Sequence, residues 1–343
     1  MRKIRIMPGF LAAWMFIGTL PVYAQPERME ISILNYNVAG LPKLFGNGAE
    51  DVEANQKQIG EILEERGYDI IAVQEDFGYH TALAAGLSGY PYTTIHSGGV
   101  PGGDGMNLWS VYPLYNETRE AWETAYGVID DGADSMTPKG ILYTVVDLGN
   151  GVYLDLYDIH ADAYGDAGSV AAREVQYRQL AEMILENSAG RPVIVTGDFN
   201  TSVHHGNDSG LLANLMEPCG LTDVWIQLYN HGDCTDFSAW EGSAEKWDSI
   251  EKFLYRDGGG VDLEPTSFSY EYICGEDGVS LSDHPAAHAV FTVSVTEEFT
   301  PYTGILQAAE DRPVRRFFSI LGVILQDLGK LITHLDELIA YLQ

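Results

Sequence analysis

Basic residues are scarce in this sequence. Its 343 residues include 19 Lys and Arg against 50 Asp and Glu, which gives a formal net charge of −31 at pH 7. A surface of this charge repels polyanions, so the sequence disfavours a protein that grips nucleic acid through many phosphate contacts. The net charge alone does not identify the ligand.

Cysteines and repeats are scarce as well. The three cysteines, Cys219, Cys234 and Cys274, do not fit a cysteine metal site. Their odd number fits either one disulfide with one free thiol in an oxidising compartment or small buried apolar side chains. No internal repeat or low-complexity linker lies between residues 30 and 297, and 45% of the chain is hydrophobic, so we expect one domain with a large core.

The first 24 residues are typical of a signal peptide. Arg2, Lys3 and Arg5 precede an uncharged apolar stretch, and the small residue Ala24 stands at the expected cleavage site. Two prolines interrupt the stretch, which disfavours the alternative of a retained membrane anchor. Cleavage would remove three basic and no acidic residues and take the net charge to −34. We therefore expect a secreted or periplasmic protein.

Hydrophobic periodicity predicts a strand-rich α/β chain. Helices are predicted over residues 52–66, closed by Gly67, and over residues 170–186. The predicted strands cover residues 31–38, 69–73, 108–111, 141–148, 152–159, 193–196, 253–255 and 288–295. Gly149-Asn150-Gly151 indicates a hairpin. The glycine-rich run at residues 97–105 has no GK[ST] ending and leads into a strand, so it predicts a loop and not a phosphate cradle.

The C-terminal segment has a different character. Apolar residues from Phe317 to Leu342 recur at alternating spacings of four and three, which predicts an amphipathic helix. Its wide apolar face could be covered by the domain itself, by a second copy of the chain or by a membrane surface. The expected boundaries are residues 1–24 for the signal peptide, 25–298 for the domain, and 299–343 for a linker and this helix. Self-association or membrane-surface contact is assigned to residues 312–343.

Polar side chains recur at the ends of the predicted strands. They are Asn35 and Asn37, Gln74 and Glu75, His160 and Asp162, Asp198 and Asn200, and Asp283 and His284. Strands that end at one edge of a sheet would gather them into one pocket. Residues i and i+2 of an extended segment share a face, so Asp198 and Asn200 are expected to point the same way, as are Asn35 and Asn37. Carboxylates, amides and imidazoles suit a hard cation such as Mg²⁺ and proton transfer at phosphate oxygens, which points to phosphoester hydrolysis.

The remaining histidines lack this setting. His80 and His96 are among those predicted to be structural or solvent-facing. The adjacent pair His204-His205 lies in a loop and is a further candidate for metal ligation.

Five motifs in this order resemble the endonuclease/exonuclease/phosphatase superfamily. They are Asn35-Tyr36-Asn37-Val38, Gln74-Glu75, His160-Ala161-Asp162-Ala163, Gly197-Asp198-Phe199-Asn200 and Ser282-Asp283-His284-Pro285. The likeness covers residues 31 to 295 and is nearest to the sphingomyelinase-like secreted branch. It implies a four-layer α/β sandwich of two mixed β-sheets flanked by helices, to which the C-terminal amphipathic helix is added.

The resemblance implies a metal site. Glu75 looks like the metal-binding glutamate, with Asn37 beside it at the metal or phosphate. Asp283 looks like a neighbouring metal-site carboxylate. The cofactor implied is Mg²⁺, with Mn²⁺ or Ca²⁺ as alternatives.

The resemblance also implies catalytic roles. Asp198 and Asn200 look like the pair that orients the attacking water and the phosphate. His284 looks like the general base or a phosphate-binding histidine. His160 looks like the second histidine, which stabilises the pentacovalent phosphorus or protonates the leaving oxygen.

The carboxylate that orients the base histidine departs from the family pattern. The segment Ile250-Glu251-Lys252-Phe253-Leu254 matches the frame of the family motif, and Glu251 replaces the usual aspartate. Asp248 is the reserve candidate.

Local differences bear on the substrate. Ser110-Val111-Tyr112-Pro113 lacks the arginine that nucleases of the family tend to carry in this motif, so nucleic acid is a less favoured substrate. Lys139, before Gly140, resembles the Lys-Gly pair of the sphingomyelinase-like branch and could contact substrate phosphate; an exposed turn lysine is the alternative. We expect a secreted, metal-dependent phosphodiesterase for a phospholipid or small phosphodiester. An extracellular DNase and a non-catalytic binding module that keeps the fold are the alternatives.

Overall fold

The computed structural model describes residues 28–41, 51–127, 134, 137–202, 210–229 and 248–301. The predicted signal peptide, the His204-His205 pair, Cys234 and the predicted C-terminal helix lie outside these residues.

The described residues form two mixed β-sheets of six strands each. Sheet A contains β1 (Met29–Asn37), β2 (Ile70–Gln74), β3 (Tyr92–Thr93), β4 (Asn107–Ser110), β11 (Val261–Glu271) and β12 (Ala286–Val295), in the spatial order β11-β12-β1-β2-β4-β3. Sheet B contains β5 (Leu114–Ala121), β6 (Gly140–Gly149), β7 (Val152–His160), β8 (Val193–Asp198), β9 (Thr222–Asp223) and β10 (Glu251–Arg256), in the order β5-β6-β7-β8-β10-β9. The parallel pairs are β1 with β2 and β7 with β8, and the other pairs are antiparallel.

Five helices accompany the sheets in the described residues. They are α1 (Val52–Arg66), α2 (His80–Gly86), α3 (Ala167–Asn187), α4 (Leu211–Cys219) and α5 (Val224–Tyr229). The α1 helix has the predicted bounds because both ends are capped: the Asp51 side chain accepts a hydrogen bond from the Ala54 amide, and Gly67 adopts the left-handed conformation.

Three apolar clusters define four layers. Between the sheets, Ile31 and Ile33 of sheet A pack with Leu154 and Leu156 of sheet B. The outer face of sheet A is covered by α1 and α2, and the outer face of sheet B by α3 and α4. Each fully buried Leu or Ile side chain contributes about 1.5–3 kcal/mol through the area it removes from water. The predicted sandwich of two mixed sheets between helices is confirmed.

Two long strands, β5 and β11, are not predicted from the sequence. The β11 strand alternates buried and exposed residues, but Pro265 interrupts its pattern and the ladder shifts register between Pro265 and Ser267. An edge strand tolerates a residue without an N–H group, and β11 is an edge of sheet A. The β5 strand is the corresponding edge of sheet B. The predicted β6–β7 hairpin is confirmed, with Asn150 and both flanking glycines at positive φ.

Cys219 and Cys274 carry free thiols. Cys219 is buried, and its Sγ lies 3.6 Å from the carbonyl oxygen of Ala181 on α3. Among the described residues, no helix has the length and apolar character needed to span a bilayer.

Candidate active site

The strand ends of both sheets meet at one edge of the sandwich. Asn37 and Gln74 are paired at the ends of the parallel strands β1 and β2. His160 and Asp198 are paired at the ends of the parallel strands β7 and β8. Glu251 begins the antiparallel strand β10 and pairs with Asp198. The topology therefore delivers polar residues from separate parts of the chain to one place.

Asn37 links the two sheets at this edge. Its Nδ2 donates to Oε1 of Glu75 and to Oδ2 of Asp198, both at 3.1 Å. Its Oδ1 accepts from the Ala39 amide at 3.1 Å, which fixes the orientation of the side-chain amide. The Ser282 hydroxyl donates to the backbone oxygen of Asn37 at 2.8 Å. One buried amide therefore holds two carboxylates that belong to different sheets.

Glu75 and Asp198 are carboxylates in a setting that disfavours their charge. Burial raises the pKa of Glu75, against the opposing effects of Lys139 and Asn37. Burial likewise raises the pKa of Asp198, against the opposing effect of His284. Glu75 also adopts a left-handed backbone with φ 59°, a conformation that costs a non-glycine residue about 1–2 kcal/mol. Two neighbouring carboxylates held by one amide offer oxygen ligands that fit a hard divalent cation such as Mg²⁺.

His284 forms a tight pair with Glu251. Its Nδ1 lies 2.6 Å from Oε1 of Glu251 and 3.9 Å from Oδ2 of Asp198. The Ser249 hydroxyl donates to the other carboxylate oxygen of Glu251. Burial disfavours the charged ring, but the hydrogen bond to Glu251 and the charge of Asp198 outweigh it and raise the pKa of His284 to about 10. Ligand atoms of Asp198, Glu251 and His284 lie within 4.8 Å of one another.

His160 has the opposite electrostatic setting. It is 1% exposed, and its Nε2 lies 3.5 Å from Oδ2 of Asp198. Burial, followed by the positive charges of Lys139 and His284, lowers the pKa of His160 well below its ordinary value. The Trp122 indole donates to the His160 backbone oxygen at 2.6 Å and fixes the end of β7. The ring is therefore neutral near pH 7 and available as a hydrogen-bond donor.

The expectation that Asp198 and Asn200 share a face of one extended segment is wrong. The β8 strand ends at Asp198, and Asn200 has φ 49°. Its backbone amide donates to Oδ1 of Asp198 at 3.0 Å, and its Nδ2 donates to the carbonyl oxygen of Ala161 at 3.1 Å. Asn200 thus closes a turn around the carboxylate. The parallel expectation for Asn35 and Asn37 is confirmed, because the Asn35 side chain also reaches β8, donating to the Gly197 oxygen at 3.0 Å.

Lys139 is buried, so the alternative of an exposed turn lysine is wrong. Its side chain is 10% exposed and forms an ion pair with Asp134. Burial opposes its charge, but Asp134 and Glu75 raise the pKa of Lys139 above its ordinary value. The structure thus places a fixed positive charge near Glu75. Contact with a substrate phosphate stays a prediction.

Asp283 and Asp248 lie apart from the contacts just described. Asp283 is exposed, and it is not among the residues whose ligand atoms cluster within 4.8 Å. Its assignment to the metal stays a prediction. Asp248, the reserve candidate for orienting His284, instead accepts from Lys252 Nζ at 2.6 and 2.7 Å, whereas Glu251 contacts His284.

Four supporting residues were missed by sequence reasoning. Trp122 holds His160, and Asp134 holds Lys139. Ser249 holds Glu251, and Ser282 holds Asn37. Ser282 lies inside the motif Ser282-Asp283-His284-Pro285, so the sequence could have indicated that it belongs to the site. The other three come from loops and strand ends whose approach to the site depends on tertiary packing.

The sequence matches a known family model and known proteins. The model of the Endonuclease/Exonuclease/phosphatase family matches residues 34–304. A sphingomyelinase of Mycobacterium tuberculosis is 32% identical over 281 residues, which are 79% of this chain and 54% of that protein. A putative neutral sphingomyelinase of Caenorhabditis elegans is 23% identical over 308 residues, covering 77% of this chain and 67% of that protein. The chain spans about half the length of the mycobacterial relatives that it matches.

Solved structures share the fold. The Staphylococcus aureus beta toxin with bound magnesium ions superposes with a TM-score of 0.55 at 15% identity, over 76% of this chain and 99% of the other. Sphingomyelinase C from Streptomyces griseocarneus gives a TM-score of 0.54 at 18% identity, over 76% and 99%. TDP2 of D. rerio with a single-stranded DNA product gives 0.56 at 19% identity, over 76% and 98%. These likenesses confirm the fold. The family model, which matches most of the chain, and the relative at 32% identity show that the chain belongs to the Endonuclease/Exonuclease/phosphatase family.

Proposed function

We propose that this chain is a divalent-metal-dependent phosphodiesterase whose substrate is a phospholipid of the sphingomyelin type. The observation that carries the proposal is the bridge from Glu75 through Asn37 to Asp198, set beside the Glu251–His284 pair. Cation ligands, a histidine held by a carboxylate and a neutral histidine are the groups that hydrolysis of a phosphodiester needs in one place.

Glu75, Asn37 and Asp198 would hold the cation. Glu75 and Asp198 would contact it through carboxylate oxygens, which Mg²⁺ prefers. Asn37, whose Nδ2 donates to both carboxylates, would orient them from the outer shell. When bound there, the cation supplies positive charge that stabilises phosphoryl oxygens and opposes protonation of His284. The raised pKa values of Glu75 and Asp198 support this assignment, because both carboxylates lack sufficient compensating charge in their buried setting.

His284 would exchange a proton with water. A carboxylate accepts hydrogen bonds, so Nδ1 of His284 carries the hydrogen that it shares with Glu251, and Nε2 is left for proton transfer. Glu251 fixes the tautomer and stabilises the imidazolium that forms. His160, held neutral by its burial, would donate a hydrogen bond to a phosphate oxygen, with Lys139 adding a fixed positive charge.

Phospholipid is favoured over DNA as the substrate for three reasons. The relatives at 32% identity are named sphingomyelinases, whereas the likeness to the TDP2 structure with DNA is one of fold. The net charge of −31 opposes approach of a polyanion. Val111, at the motif position where an arginine would grip phosphate, is 43% exposed and uncharged. An extracellular DNase is therefore the second candidate.

Export and surface binding complete the proposal. Residues 1–24 would direct the chain out of the cytoplasm and be removed near Ala24, which N-terminal sequencing of the exported protein would check. Residues 312–343 would hold the enzyme at a membrane surface. Their deletion should reduce association with sphingomyelin liposomes while leaving turnover of a soluble phosphodiester intact. A halved molecular mass after deletion would instead assign the segment to self-association, and an unchanged monomer that binds liposomes equally would assign it to packing on its own domain.

A substrate panel tests the activity. The purified chain would be assayed with Mg²⁺ on sphingomyelin, phosphatidylcholine, plasmid DNA and inositol phosphates, with and without EDTA. We expect sphingomyelin turnover that EDTA abolishes. Glu75→Ala should lose this turnover, and Glu61→Ala, which removes a glutamate from the exposed face of α1, should keep it. Turnover of none of the four substrates would favour the non-catalytic binding module, and full activity of Glu75→Ala would overturn the site.

A further inference from the structure

A second cluster of metal-ligating side chains lies at the end of β2, beside the proposed active site. It consists of Asp76, His80 and His96. Asp76 directly follows Glu75, His80 is the first residue of α2, and His96 lies in the connection between β3 and β4. One carboxylate oxygen of Asp76 and one nitrogen of each imidazole lie within 4.8 Å of one another. The sequence prediction that His80 and His96 are merely structural or solvent-facing does not account for this convergence.

Asp76 supplies a buried carboxylate, one oxygen of which has no hydrogen-bond partner in the described part of the chain. The residue is 1% exposed, and its Oδ2 accepts from Asn107 Nδ2 at 2.8 Å and lies 2.6 Å from Nδ1 of His80. Its Oδ1 is buried and has no hydrogen-bond partner in the described part of the chain. A buried carboxylate oxygen without a partner is costly, and a cation would satisfy it.

The two imidazoles lie side by side. Their rings stack in parallel, with centroids 4.0 Å apart and an interplanar angle of 6°. Nε2 of His96 lies 3.1 Å from the Asp76 backbone oxygen. A carbonyl oxygen only accepts, so Nε2 carries the hydrogen and Nδ1 carries the lone pair. A hydrogen bond from the far ring nitrogen to a carbonyl is the support that metal-binding histidines usually have.

We propose that Asp76, His80 and His96 bind a borderline divalent cation of the Zn²⁺ class, at a site separate from the cation held by Glu75. Two imidazoles and one carboxylate favour such an ion over Mg²⁺, which prefers an all-oxygen shell. Three protein ligands leave a coordination position for water.

The second site shares its backbone with the first. The Asp76 amide donates to the Gly105 oxygen at 2.9 Å, and the Phe77 amide donates to the Glu75 oxygen at 3.0 Å. These bonds form the turn on which Glu75 has its left-handed conformation. A cation bound through Asp76 therefore anchors the turn that presents Glu75.

Cobalt spectroscopy on the full chain tests the proposal. Protein stripped of metal would be titrated with Co²⁺ in a large excess of Mg²⁺. We expect one equivalent of Co²⁺ to give visible d–d absorption that Mg²⁺ does not remove and that Zn²⁺ displaces. The double variant His80→Ala/His96→Ala should lose the absorption, while Glu75→Ala should retain it. The double variant His204→Ala/His205→Ala is the matched control, because it removes two imidazoles from another part of the chain.

Nuclear magnetic resonance of the unmodified chain makes the outcome independent of whether the variants fold. Zn²⁺ in excess Mg²⁺ should shift the ring-nitrogen signals of His80 and His96 and leave that of His288 in place. The proposal is overturned if the Co²⁺ absorption survives in a folded His80→Ala/His96→Ala protein. It is also overturned if the absorption is lost in Glu75→Ala or in the His204→Ala/His205→Ala control. A wild-type chain that binds neither Co²⁺ nor Zn²⁺ under these conditions would overturn it as well.

Discussion

Oε1 of Glu251 lies 2.6 Å from Nδ1 of His284, at the start of β10. The glutamate is fully buried, so its charge is not screened by water and acts strongly on the ring. The longer side chain that replaces the family's usual aspartate therefore reaches the histidine directly. This contact explains the raised pKa of His284, which the other carboxylate in contact range, that of Asp198, reinforces.

Glu251→Gln should lower kcat at neutral pH by about 10²-fold or more, since an acid–base group positioned this way contributes about 10²–10⁴-fold. The pKa of His284 should fall from about 10 toward 6.5. A raised histidine pKa gives the pair a stabilising contribution that is complete below pH 6.5 and is lost as the pH rises through about 10. The variant should lack this alkaline decline. pH–rate profiles and NMR titration of the His284 ring measure both effects, and an unchanged His284 pKa would contradict the pairing.

Lys139→Met should raise KM for the phosphodiester by about 10-fold with a smaller change in kcat, because a fixed charge that binds ground state and transition state alike acts on KM. Its buried position beside Asp134 and Glu75 keeps it protonated throughout the neutral range. Arg178→Gln, a change on the exposed face of α3, is the control. Equal losses in kcat and kcat/KM would place Lys139 at the transition state instead. Unchanged kinetics would remove it from the site.

Lys252→Met should destabilise the fold by about 3–5 kcal/mol, the usual cost of breaking a buried ion pair. Nζ of Lys252 lies 2.6 Å from Asp248 and 3.2 Å from Asp223, and all three side chains are buried. Removing the cation takes its positive charge away from two buried carboxylates. Urea unfolding at pH 7 measures the loss. Arg256→Met, on the same strand but only partly buried, should cost less, and equal costs would argue against the buried triad as the cause.

Glu271→Gln should reduce stability at pH 7 by about 1 kcal/mol, the net worth of a hydrogen-bonded charge that is partly exposed. The carboxylate of Glu271 accepts from His288, Tyr68 and Arg66. The His288 hydrogen bond outweighs burial and, with the other two residues, lowers the pKa of Glu271 to about 2.

The sign of the pH effect follows from that lowered pKa. The stabilisation is present above the ordinary pKa of 4.5 and is lost as the pH falls through about 2. The difference between wild type and Glu271→Gln should therefore shrink across that range in denaturant unfolding experiments. Glu264→Gln, at an exposed ion pair with Arg28, is the control. A difference that stays constant from pH 7 to pH 2 would contradict the assignment.

Local signals were sufficient for much of the fold. Capping residues fixed α1, and apolar runs predicted the central strands, because in those segments the local preference and the tertiary setting agree. The β11 strand was missed because Pro265 and its exposed residues weaken the pattern, and only the partner β12 makes it a strand. Asn200 was placed in an extended segment because a periodicity rule cannot show where a strand stops.

For the candidate site, too, some features were predictable from the sequence and others were not. Polar residues at strand ends were predictable because strand ends converge at one edge of a sheet. The cluster of Asp76, His80 and His96 was not predictable, because its members come from a strand end, a short helix and a loop that carry no shared spacing.

The Asn37 bridge has a consequence for substitutions far from the edge of the sandwich. Its two acceptors belong to different sheets, so the distance between the carboxylates of Glu75 and Asp198 depends on the thickness of the apolar layer that separates those sheets. Interiors are close-packed, and removal of even a few methyl groups shifts what rests on them. Buried side chains such as Ile33 and Leu156 therefore act as spacers, and conservative changes among them could tune cation affinity without altering any ligand.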